Sequence, residues 1–331
     1  MPSLDIGGVE IGIEKSLSDL RQKIDISIFY VKRRGSLDVG QMPWWCALKN
    51  LFVESPEVVI TSLWWAHPFG LLFKLVGIRW VCFIHNAGFV HNVDRLICNA
   101  AMSFADEVAA DSDQAAAYVR SIKKKVNVYV IPYIFPLSQG AIKVERLRNS
   151  FIFAGRNAKQ KRIDLVVEFF KHILSKFPSA TCRFVIAGDV PTAILMLRET
   201  FNNRVAVESN LSNREVLYRL CSSEYFVVLS DYEGYCMAAN EAVQAGCFII
   251  YRDVGEIKNY VLPDQSFKVV NLENSYDQFD EVLARRNEIH PIGIERTGQE
   301  LRSDCTFTYT SRFLALIERL FEKSSLEGQR E

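Results

Sequence analysis

The sequence predicts an α/β protein with two domains, each built on a parallel sheet. Three observations carry that prediction. The chain has 331 residues, 49% of them hydrophobic, ample for two cores. Short apolar runs alternate with helix-spaced amphipathic runs along its length, the pattern of βαβ units with helices on both faces of a sheet. Near the middle, Pro132 and Pro136 stop both helix and central strand, closing a first domain over 1–136.

In that first domain, residues 26–30, 58–60, 80–84, 107–110 and 126–131 read as strands. Helical patterns lie between them near 9–22, 69–76, 93–103 and 114–121. Residues 137–149 read as a linker. The second domain, 150–308, alternates again, with strands near 150–154, 182–187, 203–207, 225–229, 247–250 and 267–270. Leu165, Val166, Phe169, Phe170, Ile173 and Leu174 follow helical spacing after the first of these. A last amphipathic helix near 309–322 opens a C-terminal helix and tail, 309–331.

Composition removes several classes of function. The formal net charge is zero, which gives no reason to expect nucleic acid as a partner. Eight cysteines lie scattered, without a Cys-x2-Cys pair, and several fall in apolar strand patterns where free thiols pack as small hydrophobes. That predicts a reducing, cytoplasmic setting without disulfides or a signal peptide. The five histidines show no zinc-like spacing. The best candidate for a membrane span, the uncharged run 58–73, contains Pro68 and Gly70 and is shorter than the ~20 residues a span requires.

Two segments carry chemistry. Glu233 and Glu241 stand eight positions apart, between the apolar strands 225–229 and 247–250. Glu233 precedes Gly234 at the strand's carboxyl edge, and Glu241 falls on the following helix. Open α/β sheets bind ligands at that edge. Carboxylates there accept hydrogen bonds from sugar hydroxyls, and a helix start offers N–H groups to a phosphate. Upstream, the strand 150–154 runs into Gly155 and Arg156, with Lys161 in the connection to the next helix. Two cations near a helix start oppose its dipole unless an anion joins them, and a pyrophosphate is one candidate. A basic solvated loop is the alternative.

Together these segments resemble the Glu-x7-Glu and Gly-Arg-x4-Lys signatures of retaining GT-B glycosyltransferases, family 4 in particular. The resemblance is strongest from about 150 to 260. It implies the GT-B fold, two Rossmann-like domains whose parallel sheets face each other across a cleft. It also implies a nucleotide diphosphate sugar donor held by Gly155, Arg156, Lys161, Gly188, Glu233, Gly234, Tyr235, Cys236 and Glu241. In the family the cations hold the diphosphate. Glu241 then takes the ribose, while Glu233 and the backbone of 234–236 orient sugar and phosphate. The family has a histidine where His85 ends the strand 81–84, which implies a donor to the sugar; the alternative for His85, a lone histidine, is a satisfied structural residue. Gly188, Asp189 and Pro191 resemble its Gly-Asp-Gly-Pro turn, with Val190 replacing a glycine. Gly7 and Gly8 resemble its glycine loop, or form a plain turn into a helix, because only six residues precede them. Asp111-Ser112-Asp113 has the form of a metal-binding Asp-x-Asp, but fits a helix N-cap better, so neither a metal nor another cofactor is expected.

The expected activity is retaining, metal-independent transfer of a hexose-type sugar. The acceptor is a glycan or lipid-linked saccharide, in cell-surface polysaccharide or glycolipid synthesis. Interleaved cations and aromatics in the first domain, Lys123, Lys124 and Lys125 among them, suit a peripheral site on an anionic membrane or equally an ordinary core with solvated lysines. A non-catalytic GT-B protein that binds a sugar nucleotide or a partner subunit is the alternative.

Overall fold

A computed structural model of the chain describes residues 16–17, 19–30, 42–43, 46, 56–85, 89, 92–124, 126–132, 144–289 and 309–327. They fall into two compact units. One takes residues up to 135 together with those from 306 onward; the other takes 136–305.

The first unit has a short parallel pair, β1 (Phe29–Tyr30) with β2 (Met42–Pro43). Its main sheet is parallel and runs in chain order: β3 (Val58–Ser62), β4 (Arg79–Ile84), β5 (Glu107–Ala110), β6 (Val128–Val130). The connecting helices are α1 (His67–Leu75), α2 (Asn92–Phe104) and α3 (Asp113–Ile122). Because right-handed crossovers in sequential order stay on one side, all three pack on one face of β3–β6, not on both. Trp80, Cys82, Ile84, Met102, Val108 and Val119 form the core beneath them. Gly70 lies against the Trp80 indole, and a Cβ there would fall 2.0 Å from its Nε1. Of the helical pattern expected at 9–22, residues 16–17 and 19–21 are helical and 9–15 lie outside the described residues. The C-terminal helix Tyr309–Glu327 belongs to this unit. Arg312 Nη1 donates to the Val130 carbonyl at 3.2 Å, and Arg79 donates to that of Leu320.

The second unit is a six-stranded parallel sheet in the order β12-β11-β10-β7-β8-β9. The strands are β7 (Ser150–Arg156), β8 (Thr181–Ala187), β9 (Val205–Ser209), β10 (Tyr225–Val228), β11 (Phe248–Tyr251) and β12 (Ser266–Lys268). The helices are α4 (Ile163–Lys176), α5 (Thr192–Phe201), α6 (Asn213–Ser222), α7 (Met237–Gln244), α8 (Ile257–Tyr260) and α9 (Leu272–Ile289). From β7 the chain winds outward through β8 and β9, then returns to pair β10 on β7's other side. This reversal puts helices on both faces, as the alternation predicts. Phe169, Phe170, Ile173 and Leu174 of α4 are buried, as their spacing requires. Phe151, Phe170, Phe184, Tyr225 and Phe279 pack stacked or edge to face within ring separations of 4.6–6.4 Å. Each such ring removed from water contributes on the order of 1.5–3 kcal/mol. The α9 helix, which supplies Phe279 and Leu283, has no counterpart in the sequence reading.

Candidate functional site

Adjacent parallel strands whose connections depart in opposite directions leave an opening at their carboxyl edge. In the second unit that place lies between β7 and β10, and both motif segments leave from it. After Gly155 and Arg156, a 3-10 turn over Lys159–Lys161 leads through left-handed Arg162 into α4. After β10, residues 229–236 lead into α7.

The two connections are tied together. The backbone N–H of Asp231 donates to the Gln160 carbonyl at 2.8 Å. The Asp231 carboxylate accepts from Arg162 at 3.0 Å and from Arg252 at 2.7 Å. Deeper in, Lys161 Nζ lies 2.6 Å from Glu233 Oε1, with side-chain exposures of 14% and 6%. The Ser230 hydroxyl donates to the same oxygen at 2.5 Å. Burial alone would lower the Lys161 pKa; the Glu233 carboxylate outweighs it and the net shift is upward.

The structure thus corrects one expectation. Lys161 does not depend on a ligand anion, because Glu233 is its counter-ion. Arg156 differs: it is exposed at the end of β7, and no carboxylate pairs with it among the described residues. It is close enough for its charge to act against that of Lys161.

The segment after Glu233 is braced from behind. Gly255, at φ +57°, backs onto it so closely that a Cβ would sit 2.2 Å from the Gly234 carbonyl oxygen. Glu256 N–H donates to that carbonyl at 3.1 Å. The Tyr260 hydroxyl donates to the carbonyls of Tyr235 and Cys236 at 3.0 and 3.1 Å. Cys236, at φ +57°, starts α7 without a side-chain cap, so the helix's positive end is not met by a side chain. Burial, reinforced by Glu233, pushes the Cys236 thiol up to about 12, which keeps it protonated and non-nucleophilic at neutral pH.

Glu241 is buried on α7, and Asn213 Nδ2 reaches it at 3.4 Å from the start of α6. That start carries a capping box, Ser212 with Glu215. Gly188 follows β8, whose last residue Ala187 is in register with Arg156. At φ +99°, it donates its N–H to Asn210 Oδ1 at 2.8 Å. Gly155, Arg156, Lys161, Glu233, Gly234, Tyr235, Cys236, Glu241 and Gly188 therefore all belong to one edge of the second unit. Ser230, Asp231 and Tyr260 join them without having been singled out, and Asn213 joins them from the segment 211–217, which the sequence marks as a helix start. The only sequence trace of Ser230 and Asp231 is the abrupt switch to polar residues after an apolar strand.

His85 belongs to the first unit. It ends β4, its Nε2 2.6 Å from Ser62 Oγ and its Nδ1 4.0 Å from Asp111 Oδ2. Burial, with His67 nearby, lowers its pKa to about 3, so the ring is neutral. Asp111 thus faces a histidine, while Ser112 caps α3 by accepting from the Ala115 N–H. The described residues contain no cluster of three metal-ligating side chains. Gly7 and Gly8 lie outside the described residues.

Residues 148–285 match the family described as glycosyl transferases group 1. The match covers β7 through most of α9 and so holds every residue of the β7–β10 edge. The chain is also similar to an uncharacterized glycosyltransferase, YqgM, of Bacillus subtilis (strain 168), at 22% identity over 62% of this chain and 59% of that one. It is similar to one component of the human phosphatidylinositol N-acetylglucosaminyltransferase, at 25% identity over 54% of this chain and 37% of that one. The chain therefore spans 59% and 37% of the lengths of these two relatives. Among solved structures it resembles Anabaena HepE in complex with UDP-glucose, with a TM-score of 0.74, 13% identity, and coverage of 97% and 98% of the two chains. The overall architecture is the two-domain GT-B fold.

Proposed function

We propose that this protein is a glycosyltransferase that moves a sugar from a nucleotide diphosphate sugar to a saccharide or lipid-linked saccharide, with retention of anomeric configuration and without a metal ion. The observation that carries the reading is the pairing of Lys161 with Glu233 beside exposed Arg156, at the reversal point of a group 1 domain. The HepE complex supports a uridine diphosphate sugar as donor. The human relative's name supports a lipid-borne acceptor, and with it a place in glycolipid or cell-surface polysaccharide synthesis.

In this reading the glycosyl–oxygen bond to the diphosphate breaks, and negative charge grows on the leaving phosphate. Arg156 meets that charge directly. Lys161 shares its ammonium between Glu233 and the phosphate, and the uncapped start of α7 adds its N–H groups. Glu233, fixed by Lys161 and Ser230, faces the sugar, and Glu241 with Asn213 holds the ribose. The acceptor hydroxyl bonds to the sugar carbon, and its proton passes to the departing phosphate oxygen.

The test is transfer from an α-linked donor to a saccharide acceptor in excess EDTA, read by proton NMR. An α-linked product formed at an unchanged rate supports the reading. A β-linked product overturns retention, and loss of activity restored by Mn²⁺ overturns metal independence. Glu241→Gln raises the donor KM, as loss of uniform binding does, whereas Glu233→Gln lowers kcat.

A further inference from the structure

The crossover helices of the first unit lie side by side, α1 beside α2 and α2 beside α3. α1 buries His67, Gly70 and Phe73. Its opposite face ought to be polar if water were its neighbour. Instead Leu71, Leu72, Leu75 and Val76 follow there at helical spacing, all exposed, Leu75 by 75%. α2 extends this surface with Leu96, 70% exposed, and Phe104, 58% exposed. Lys74 bridges the two helix ends, its Nζ 2.8 Å from the Phe104 carbonyl and 2.6 Å from the Asp106 carboxylate. Exposed apolar side chains gathered on two neighbouring helices mark a place where something docks.

The surroundings say what. Lys74, Arg95, Arg120, Lys123 and Lys124 stand on or at the ends of these helices at the surface, against the exposed carboxylates Asp106 and Asp113. Asp94, Glu107 and Asp111 are buried. Lys123 Nζ donates to the Ala105 carbonyl at 2.9 Å, which brings the basic end of α3 next to Phe104. A second copy of the chain would set these cations against one another. An anionic lipid surface suits both features, since the apolar side chains enter the acyl boundary while the cations meet headgroups. No helix among the described residues is long and apolar enough to cross a membrane.

We infer that the α1–α2 face, with the basic end of α3, seats this protein on an anionic membrane, lying on the surface. The inference stands on this surface alone and not on the transferase reading.

The test is sedimentation of the full chain with vesicles of phosphatidylcholine, and with vesicles containing a third phosphatidylglycerol. The expected result is at least tenfold more binding to the anionic vesicles at low salt, weakening as salt rises. Leu75→Glu with Leu96→Glu abolishes the binding, and Lys123→Glu with Lys124→Glu lowers it at least fivefold. Leu75 and Leu96 are exposed, so circular dichroism and melting temperature stay unchanged for that pair, and circular dichroism stays unchanged for the lysine pair. Equal binding to neutral and anionic vesicles, or indifference to both paired substitutions, overturns the inference. So does a dimer in light scattering that Leu75→Glu with Leu96→Glu dissolves while the wild type ignores vesicles.

Discussion

Lys161 and Arg156 are two cations five residues apart with different tasks, and substitutions separate them. Lys161 is buried against Glu233. Lys161→Met strands that carboxylate, and breaking a buried pair in this way costs about 3–5 kcal/mol. Lys161→Met with Glu233→Gln recovers at least half of the loss, because no unpartnered charge remains. Urea unfolding of the two variants and the wild type measures this coupling. Arg156 is exposed, so Arg156→Ala leaves the urea midpoint within the ~0.5 kcal/mol typical of surface changes. The buried histidines give a pH signature. Burial holds both His67 and His85 near a pKa of about 3, against an ordinary 6.5. Between those values the unfolded chain binds protons that the folded chain refuses, so stability falls as pH drops from about 6.5 toward 3. His85→Gln flattens part of that fall between pH 7 and 4 in urea titrations; an unchanged slope would show that the ring is solvated.

At the scale of elements, the connections of the second unit matter more than its strands. Gly255 stands where the segment 254–256 backs onto Gly234. Gly255→Ala places a methyl against backbone at a positive φ that alanine resists, so the Glu233 segment must shift. The expected outcome is a melting temperature lower by several degrees and donor affinity reduced at least tenfold. A wild-type melting curve and affinity would refute the bracing role. Here the limits of sequence become visible. Helix α4 was legible because six apolar positions repeat at helical spacing, and β7, β8, β10 and β11 because they are apolar runs buried on both faces. Helix α9 was not, because its sequence is mostly polar and only residues such as Phe279 and Leu283 enter the core. Glu233 and Glu241 were legible from spacing beside a glycine. The Asp231 tie and the Tyr260 bonds were not, since they join residues from 21 to 71 positions apart and no local pattern encodes them. The counter-ion of Lys161 was missed for the same reason: 72 positions separate it from Glu233.

At the scale of the molecule, strand order decides where chemistry can occur. The return of the chain from β9 to β10 opens the edge beside β7, and the glycine-led connections of β7 and β10 fill it with cations, carboxylates and a helix start. The direct test of that account is isothermal titration calorimetry of the wild type and Arg156→Ala with UDP, GDP and ADP and their glucose conjugates. At least one nucleoside diphosphate is expected to bind the wild type. Its affinity should fall at least tenfold in Arg156→Ala, the loss of a charge-assisted bond of about 1.5–3 kcal/mol, while the fold is retained. Absence of binding by every nucleotide, or equal affinity in the two proteins, would contradict the assignment of the β7–β10 edge as a sugar-nucleotide site.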